Sequence, residues 1–498
     1  MMRMRWAHVA ALGVVVALAG CSFAPSAKPP KMDDPEHYAV APTPESTAEA
    51  GGVAQRFSLG QRAVPEWWKA YGSTKLDALV DEGLQRSPSL EAARHTLESV
   101  RQQYRAVVGD ALWPSLDAGG QATRERALGL PNVGKPTNIY NVYAGQLQLS
   151  YDFDLFGVSR NEVKQAAAQV DAQSYQFDAA RRALAANIVI SAVTASALAE
   201  QVEATERLAA LAREQVELTG KAYRLGAAAN EDLLAAQRNA AAIEGSLPGL
   251  RAQALRERHA LAVLLGRTPD QAPEVFPLAE LKLPAEVPVS VPSELLQQRP
   301  DVLAAEAAVR AASAEVGVAT GNLFPHLSLS ASLGSAAFDR SKLFTGASTI
   351  WGATASLTQP IFHGGALWAQ RKAAIASYDA SLAQYRQTVL GAFQNVADTL
   401  TALEQDALAL QAAQSGSVSA KQSFDDARSR YRLGSVSYPM TLAGEQRWQN
   451  ARLQEIQATA QRLVDTAALF QAMGEPSSDT LHPPLPAGER VGVRGRAE

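Results

Sequence analysis

The chain has 498 residues, a formal net charge of −4 and a pI near 6.1, and its lysines and arginines are scattered rather than striped, so it carries no nucleic-acid signature. Hydrophobic residues make up 47% and aromatics only 6%, which means that Ala, Leu and Val dominate and long helices are favoured. A single cysteine excludes an internal disulfide framework, and none of the seven histidines stands at ligand spacing from another, which argues against a His-based metal site.

The amino terminus reads as a targeting signal. Arg3 and Arg5 precede an apolar run, Ala7 to Ala19, that is too short to cross a bilayer as a stable helix. The run ends in Leu18-Ala19-Gly20-Cys21, which resembles the bacterial lipobox, where the cysteine is lipidated and becomes the first residue. The competing reading is an ordinary thiol that happens to follow an apolar stretch. Ser22 in place of an aspartate resembles lipoproteins sorted to the outer membrane. These features predict a signal peptide over 1–20 and a lipid-anchored, Pro-rich tether over 21–65 that has no sustained periodicity.

Order is expected to begin at Trp67-Trp68, a pair that reads as helix packing rather than a ligand platform. A short helix from Thr74 to Gln85 is followed by Ser87-Pro88, a cap with proline at the first helical position. A second helix, Ser89 to Leu112, stops at Trp113-Pro114. The period then changes to two. Leu116, Ala118, Gly120 and Ala122 alternate with polar residues, and so do Tyr143, Gly145, Leu147, Leu149, Tyr151 and Phe153, which predicts a β-hairpin over about 114–153. From Ser159 to Leu225 there is no proline, and Val163, Val170, Phe177 and Leu184 recur at a strict seven. Such a helix spans roughly 100 Å. It ends at Tyr223-Arg224-Leu225-Gly226, where glycine suits a left-handed cap, and a return helix runs from Glu231 to Leu265.

The second half repeats this figure. Tyr431-Arg432-Leu433-Gly434 lies 208 residues after its twin, and the same offset aligns Leu149 with Leu357 and Gly157 with Gly365. A near-constant offset over most of the length is a tandem duplication, with repeats over 66–283 and 284–474 and a disordered tail over 475–498. The second copy predicts a helix from Pro300, a hairpin over about 325–360, a long helix from Leu367 to Leu433 and a return helix from Met440 to Met473. The strands are expected to be ten to twelve residues long, with one apolar face, one face of Ser, Thr, Gln and Asp, and aromatics near their ends (Trp113, Tyr151, Phe153, Phe324, Trp351, Phe362), as tilted transmembrane strands require. A soluble sheet with one face on a core is the alternative. Four strands cannot close a barrel and an open edge is not tolerated in lipid, so two chains (eight strands) or three (twelve) must share one. No Gly-x-Ser-x-Gly, P-loop or His–Glu metal helix is present, and no catalytic, cofactor or metal residue is assigned.

Three stretches carry a family resemblance: Val291-Pro292-Ser293-Glu294-Leu295-Leu296-Gln297-Gln298-Arg299-Pro300-Asp301-Val302-Leu303-Ala304-Ala305-Glu306, Phe324-Pro325-His326-Leu327-Ser328-Leu329, and Tyr431-Arg432-Leu433-Gly434. They resemble signature segments of the TolC-like outer membrane factors, and with the lipobox and Trp67-Trp68 they resemble the NodT-type efflux lipoprotein branch over about residues 63–474. The resemblance implies a mainly α fold with a small transmembrane β part. Tandem-duplicated long helical hairpins form a trimeric α-barrel, continued by a shared 12-stranded outer-membrane β-barrel with four strands per chain. It implies a homotrimeric passive duct with a periplasmic adaptor (membrane fusion) protein and an inner-membrane pump of the RND type as partners, outer membrane lipid around it, and no nucleic acid. A type I protein secretion duct and a pore-less, lipid-anchored coiled-coil scaffold are the rival readings. By resemblance Tyr223, Arg224, Leu225 and Gly226, with Tyr431, Arg432, Leu433 and Gly434, are adaptor-docking turns. Asp425, Asp426 and Arg428 are the candidate aperture gate, against the reading of a solvated helix end; Arg428 stands where relatives often carry an acid. His363 also departs from the family pattern and is read as a junction residue without chemistry.

Overall fold

The computed structural model describes residues 23–30, 32, 35, 37–39, 44–61, 65–128 and 137–474. Cys21, the expected signal peptide and the expected C-terminal tail lie outside these residues. In chain order the elements are β1 (Arg56–Leu59), α1 (Thr74–Arg86), α2 (Pro88–Leu112), β2 (Ser115–Leu128), β3 (Thr137–Phe153), α3 (Val158–Arg224) and α4 (Asn230–Leu264). The second half adds β4 (Glu286–Val289), α5 (Pro292–Gln298), α6 (Pro300–Gly321), β5 (His326–Ala337), β6 (Thr349–Thr358), α7 (Ala366–Arg432) and α8 (Tyr438–Met473).

Local chemistry explains the boundaries. Ser73 caps α1 by accepting from the Leu76 amide at 3.3 Å. Proline opens α2, α5 and α6, where its missing N–H has no helical partner to lose. The heptad of Val163, Val170, Phe177 and Leu184 is buried throughout, so the proline-free α3 grows to 67 residues. An 18-residue window of α3 is apolar enough to cross a membrane, with a mean hydropathy of 1.6, but 67% of that window is buried inside the protein.

Two compact units form, and neither is a sequence repeat. One gathers 96–173 and 304–386, hence all four long strands with the adjoining parts of α2, α3, α6 and α7. The other gathers, among the described residues, those of 32–95, 174–303 and 387–474. Each unit draws on both repeats; among the long strands, β2–β3 and β5–β6 pair within a repeat and β3–β5 joins the two.

The stretch expected to be a plain tether differs from expectation. Residues Arg56–Leu59 form β1, which pairs in parallel with β4 from the middle of the chain. Just before it Thr47, Ala50 and Gln55 are buried, because α8 offers them a buried cation. Arg462 is 0% exposed and donates to Gln55 Oε1 (3.2 Å), Ala50 O (2.9 Å), Thr47 Oγ1 (3.0 Å) and Val53 O (3.2 Å). A guanidinium has a fixed fork of donors, so one side chain holds four points of an otherwise irregular segment. Trp67 and Trp68 are also buried, Trp67 stacked on Phe470 of α8 at 5.2 Å, and the Tyr71 hydroxyl donates to Leu463 O at 2.8 Å. The pair is packing, as its sequence context implied.

Beside Arg462 lies a half-buried carboxyl pair, Asp406 and Asp465. Burial, a hydrogen bond to the Asp465 carboxyl and the Asp465 charge push the Asp406 carboxyl up to about 7, while Arg462 opposes the shift. Folded Asp406 therefore holds its proton more tightly than an ordinary aspartate at 3.8. Stability linked to this proton is lost as pH rises through about 7 and is regained as pH falls from there toward 4. The melting temperature of the wild-type protein should accordingly rise between pH 8 and pH 5, and Asp406→Asn should flatten that rise; an unchanged slope in the variant would remove Asp406 as its source. Arg462→Ala strips four buried acceptors of their donor at a cost of about 3 kcal/mol or more. Trypsin should then cut after Arg56 at least about tenfold faster than in the wild type, as local opening becomes easier.

Candidate functional site

Two places carry the geometry on which function can rest. The first is a four-stranded antiparallel sheet with the order β2-β3-β5-β6. Its central pairing, β3 with β5, joins the two sequence repeats. Register aligns residues across the strands in rows. Leu116, Leu149, Ala331 and Ala353 form one row; Ala118, Leu147, Leu333 and Trp351 form the next, with Tyr151, Leu329 and Ala355 and then Phe153, Leu327 and Leu357 on the same face. The opposite face carries Ser115, Ser150, Ser330 and Thr354, then Asp117, Gln148, Ser332 and Gly352. The apolar face is not against a core: Trp351 is 78% exposed, Leu357 66% and Leu333 57%. β2 and β6 each have one unpaired edge.

The first hairpin exceeds the expected length, at 14 and 17 residues, because pairing continues beyond the alternating stretch from Thr123–Val142 to Leu128–Thr137. At the helix-proximal end of this unit Phe324 is stacked between Phe156 (4.9 Å) and Phe23 (4.7 Å). The residue two positions after Cys21 is thus held at the base of the strands. Sequence reading missed Phe23, whose neighbours carry no periodicity to mark it.

The second place is the pair of helix-end turns. In the first, Gly226 takes φ +76, its amide bonds Tyr223 O at 3.0 Å, and the Ala227 amide bonds Ala222 O at 2.8 Å. In the second, Gly434 takes φ +73, its amide bonds Tyr431 O at 2.9 Å, and the Ser435 amide bonds Arg430 O at 2.9 Å. This is the same Schellman closure twice, and only glycine adopts it without strain. Each turn thrusts a leucine outward, Leu225 at 85% and Leu433 at 83% exposure.

The flanks differ. Tyr438, which follows the second turn, lies 5.2 Å from the Tyr431 ring and donates to Glu214 Oε1 at 2.6 Å, a bond that raises the Tyr438 hydroxyl's pKa. Phe424 stacks on Trp448 at 5.7 Å. The first copy has Asn230 where the second has Tyr438, and comparing the repeats position by position is the signal that would have exposed this tether. Asp425 pairs with Lys421 at 2.8 Å and Asp426 with Arg430 at 3.1 Å, both within α7. Arg428 is exposed and makes no ion pair among the described residues. Among the described residues, no group of three or more His, Cys, Asp or Glu is placed to hold a metal ion.

The family model for outer membrane efflux proteins matches residues 79–267 and 291–475, one stretch in each half. The chain belongs to the outer membrane efflux protein family. It is 29% identical over 480 residues to outer membrane protein OprJ of Pseudomonas aeruginosa, covering 94% of this chain and 95% of that one. It is 31% identical over 456 residues to the pyoverdine export outer membrane protein OpmQ of the same species, covering 87% and 93%. The probable outer membrane lipoprotein SilC of Salmonella typhimurium is 29% identical over 455 residues, covering 87% and 95%. Among solved structures, the outer membrane protein VceC of Vibrio cholerae superposes with a TM-score of 0.74 at 26% identity, covering 84% of this chain and all of that one. The efflux-protein fold accounts for both places at once: the sheet is one chain's share of a β-barrel, and the long helices are its share of an α-barrel.

Proposed function

We propose that this protein is the outer membrane channel lipoprotein of a tripartite efflux system, a passive homotrimeric duct that carries small toxic compounds or drugs outward from a periplasmic adaptor and an inner-membrane pump. The observation that carries the reading is the open quartet of strands with an apolar, exposed outer face and two unpaired edges. In hydrocarbon an unpaired edge leaves backbone N–H and C=O groups unsatisfied at several kcal/mol each, so β2 of one copy must pair with β6 of the next. Three copies give twelve strands. The long helices agree, since Leu390 and Leu408 on α7 and Leu234, Leu255 and Val263 on α4 are exposed in the single chain and await neighbours.

Cys21 is assigned as the lipidated residue: Phe23, packed in the aromatic stack below the strands, would hold the acylated end at the depth of the inner leaflet. The two Tyr-Arg-Leu-Gly turns are assigned to adaptor docking, where the projecting Leu225 and Leu433 supply an apolar knob each. Asp425, Asp426 and Arg428 are assigned to the aperture. With both aspartates neutralised by lysine and arginine one turn away, the net charge of such a ring falls to Arg428. The duct has no catalytic step in this reading, and energy enters through the pump.

The mature protein extracted from the outer membrane in mild detergent should have the mass of three copies; a stable monomer would remove the shared barrel. Leu147→Arg places a charge on the apolar face at mid-strand, at a cost of about 2–4 kcal/mol, and should abolish the stable trimer. Gln148→Arg, one residue along on the polar face, should leave it intact. Arg428→Glu should shift the reversal potential of single channels toward cations in a salt gradient, and an unshifted potential would return this stretch to a solvated helix end.

A further inference from the structure

The five charged residues of the four long strands are sorted by face. Asp117, Glu125 and Asp152 all lie on the polar face, whereas Arg124 and Arg126 both lie on the apolar one, with Arg124 opposite Asn141 and Arg126 opposite Ile139. Both arginines sit at one end, the end away from the helices. Ten residue steps separate Phe153 from Tyr143 along the apolar face of β3, which is about 34 Å of strand and about 25 Å of membrane at the usual tilt. Tyr143 therefore closes the apolar band, and Arg124 and Arg126 begin where it stops.

The loop between β5 and β6 brings further cations to the same rim. Arg340 lies over the Tyr143 ring at 5.6 Å, and Tyr143 is on the apolar face beside Ala122. Phe344 holds a left-handed φ of +67, a conformation a bulky side chain adopts only when its surroundings enforce it. What enforces it is a pair of buried serines. Ser335 Oγ is 2.6 Å from Ser348 Oγ and accepts from the Phe344 amide at 3.0 Å. Gly145 then receives the Phe344 ring on the apolar face, where a Cβ would stand 3.3 Å from it. The loop is thus bent back over the outside of the sheet, with Arg340 and Lys342 exposed at its crest. The acid nearest to them in the chain, Asp339, is occupied by the Ser341 amide (2.9 Å) and hydroxyl (3.0 Å). Glu125 lies on the other face, bonded by the Tyr140 hydroxyl.

We propose that Arg124, Arg126, Arg340 and Lys342 form a binding rim for the phosphate groups of the glycolipid that makes up the outer leaflet. Phosphate oxygens take the guanidinium forks, and Tyr143 and Phe344 pack against the upper ends of the acyl chains. Arginines at the edge of an apolar band, with no acid on their own face among the strand residues, complement a layer of fixed phosphates and have no other counter-charge there. The inference rests on the duct reading, which points this end of the strands outward.

Native mass spectrometry of the full mature trimer in detergent tests it, with bisphosphorylated lipid A as probe. The controls are lipid A of the same acylation without phosphates, and inorganic phosphate in large excess. The trimer should retain the bisphosphorylated lipid about tenfold or more over the dephosphorylated one, and inorganic phosphate should not displace it. The variant R124Q/R126Q/R340Q/K342Q should reduce retention to the dephosphorylated level. R340Q/K342Q, which leaves the strands untouched, should lower it by about threefold and guards against a barrel that fails to assemble. Equal retention of the two lipids by the wild type, unchanged retention in R340Q/K342Q, or displacement by inorganic phosphate each overturns the rim. Absence of trimer mass in the wild-type spectrum overturns instead the duct on which it rests.

Discussion

A strand edge in hydrocarbon has no water to satisfy its peptide groups, and β2 and β6 each present such an edge. The rest of the architecture follows from that constraint. A sheet with one apolar face and two free edges is unstable alone in lipid and complete only when neighbouring copies close the ring. Closure fixes which face meets lipid and which lines the interior. It also explains why the repeats are interleaved: β3 of the first must pair with β5 of the second to give each chain a continuous third of the wall.

The helices obey a different constraint. Tertiary packing sustains a helix of this length, and α3 buries a side chain every seven residues over most of its 67 residues. α7 has the same length but keeps large apolar side chains such as Leu390 and Leu408 exposed. The duplicated helices have thus diverged in how much of their apolar surface the single chain covers. The same divergence marks the turns. Both close with the same hydrogen bonds around a glycine, and the second is tethered as well, through Tyr438 to Glu214 on α3.

The buried Arg462 fastens the segment around Thr47–Gln55 to α8. Segment 47–56 has little regular structure of its own, and one guanidinium satisfies four of its acceptors. Phe23, earlier in the chain, is stacked on Phe324.

Much of this was legible in one dimension. Period two, period seven, proline at helix starts and glycine at the paired turns are local rules, and each follows from backbone geometry that a single stretch of chain already possesses. They placed the long helices within a few residues of their observed ends and located all four long strands, although the first hairpin runs about five or six residues further than its alternation showed. Missed were the features that need a distant partner: β1, whose four residues become a strand only beside β4, the four bonds of Arg462, and the Tyr438–Glu214 tether across 224 positions. An arginine inside a helical pattern looks the same whether its head is in water or in a nest of carbonyls. The sequence by itself determined the long helices, the long strands and their duplication, because those depend on neighbours along the chain. Only the tertiary structure decided which copies pair, which face of the sheet collects the cations and where the charges are buried, because those depend on residues that the chain brings together from hundreds of positions apart.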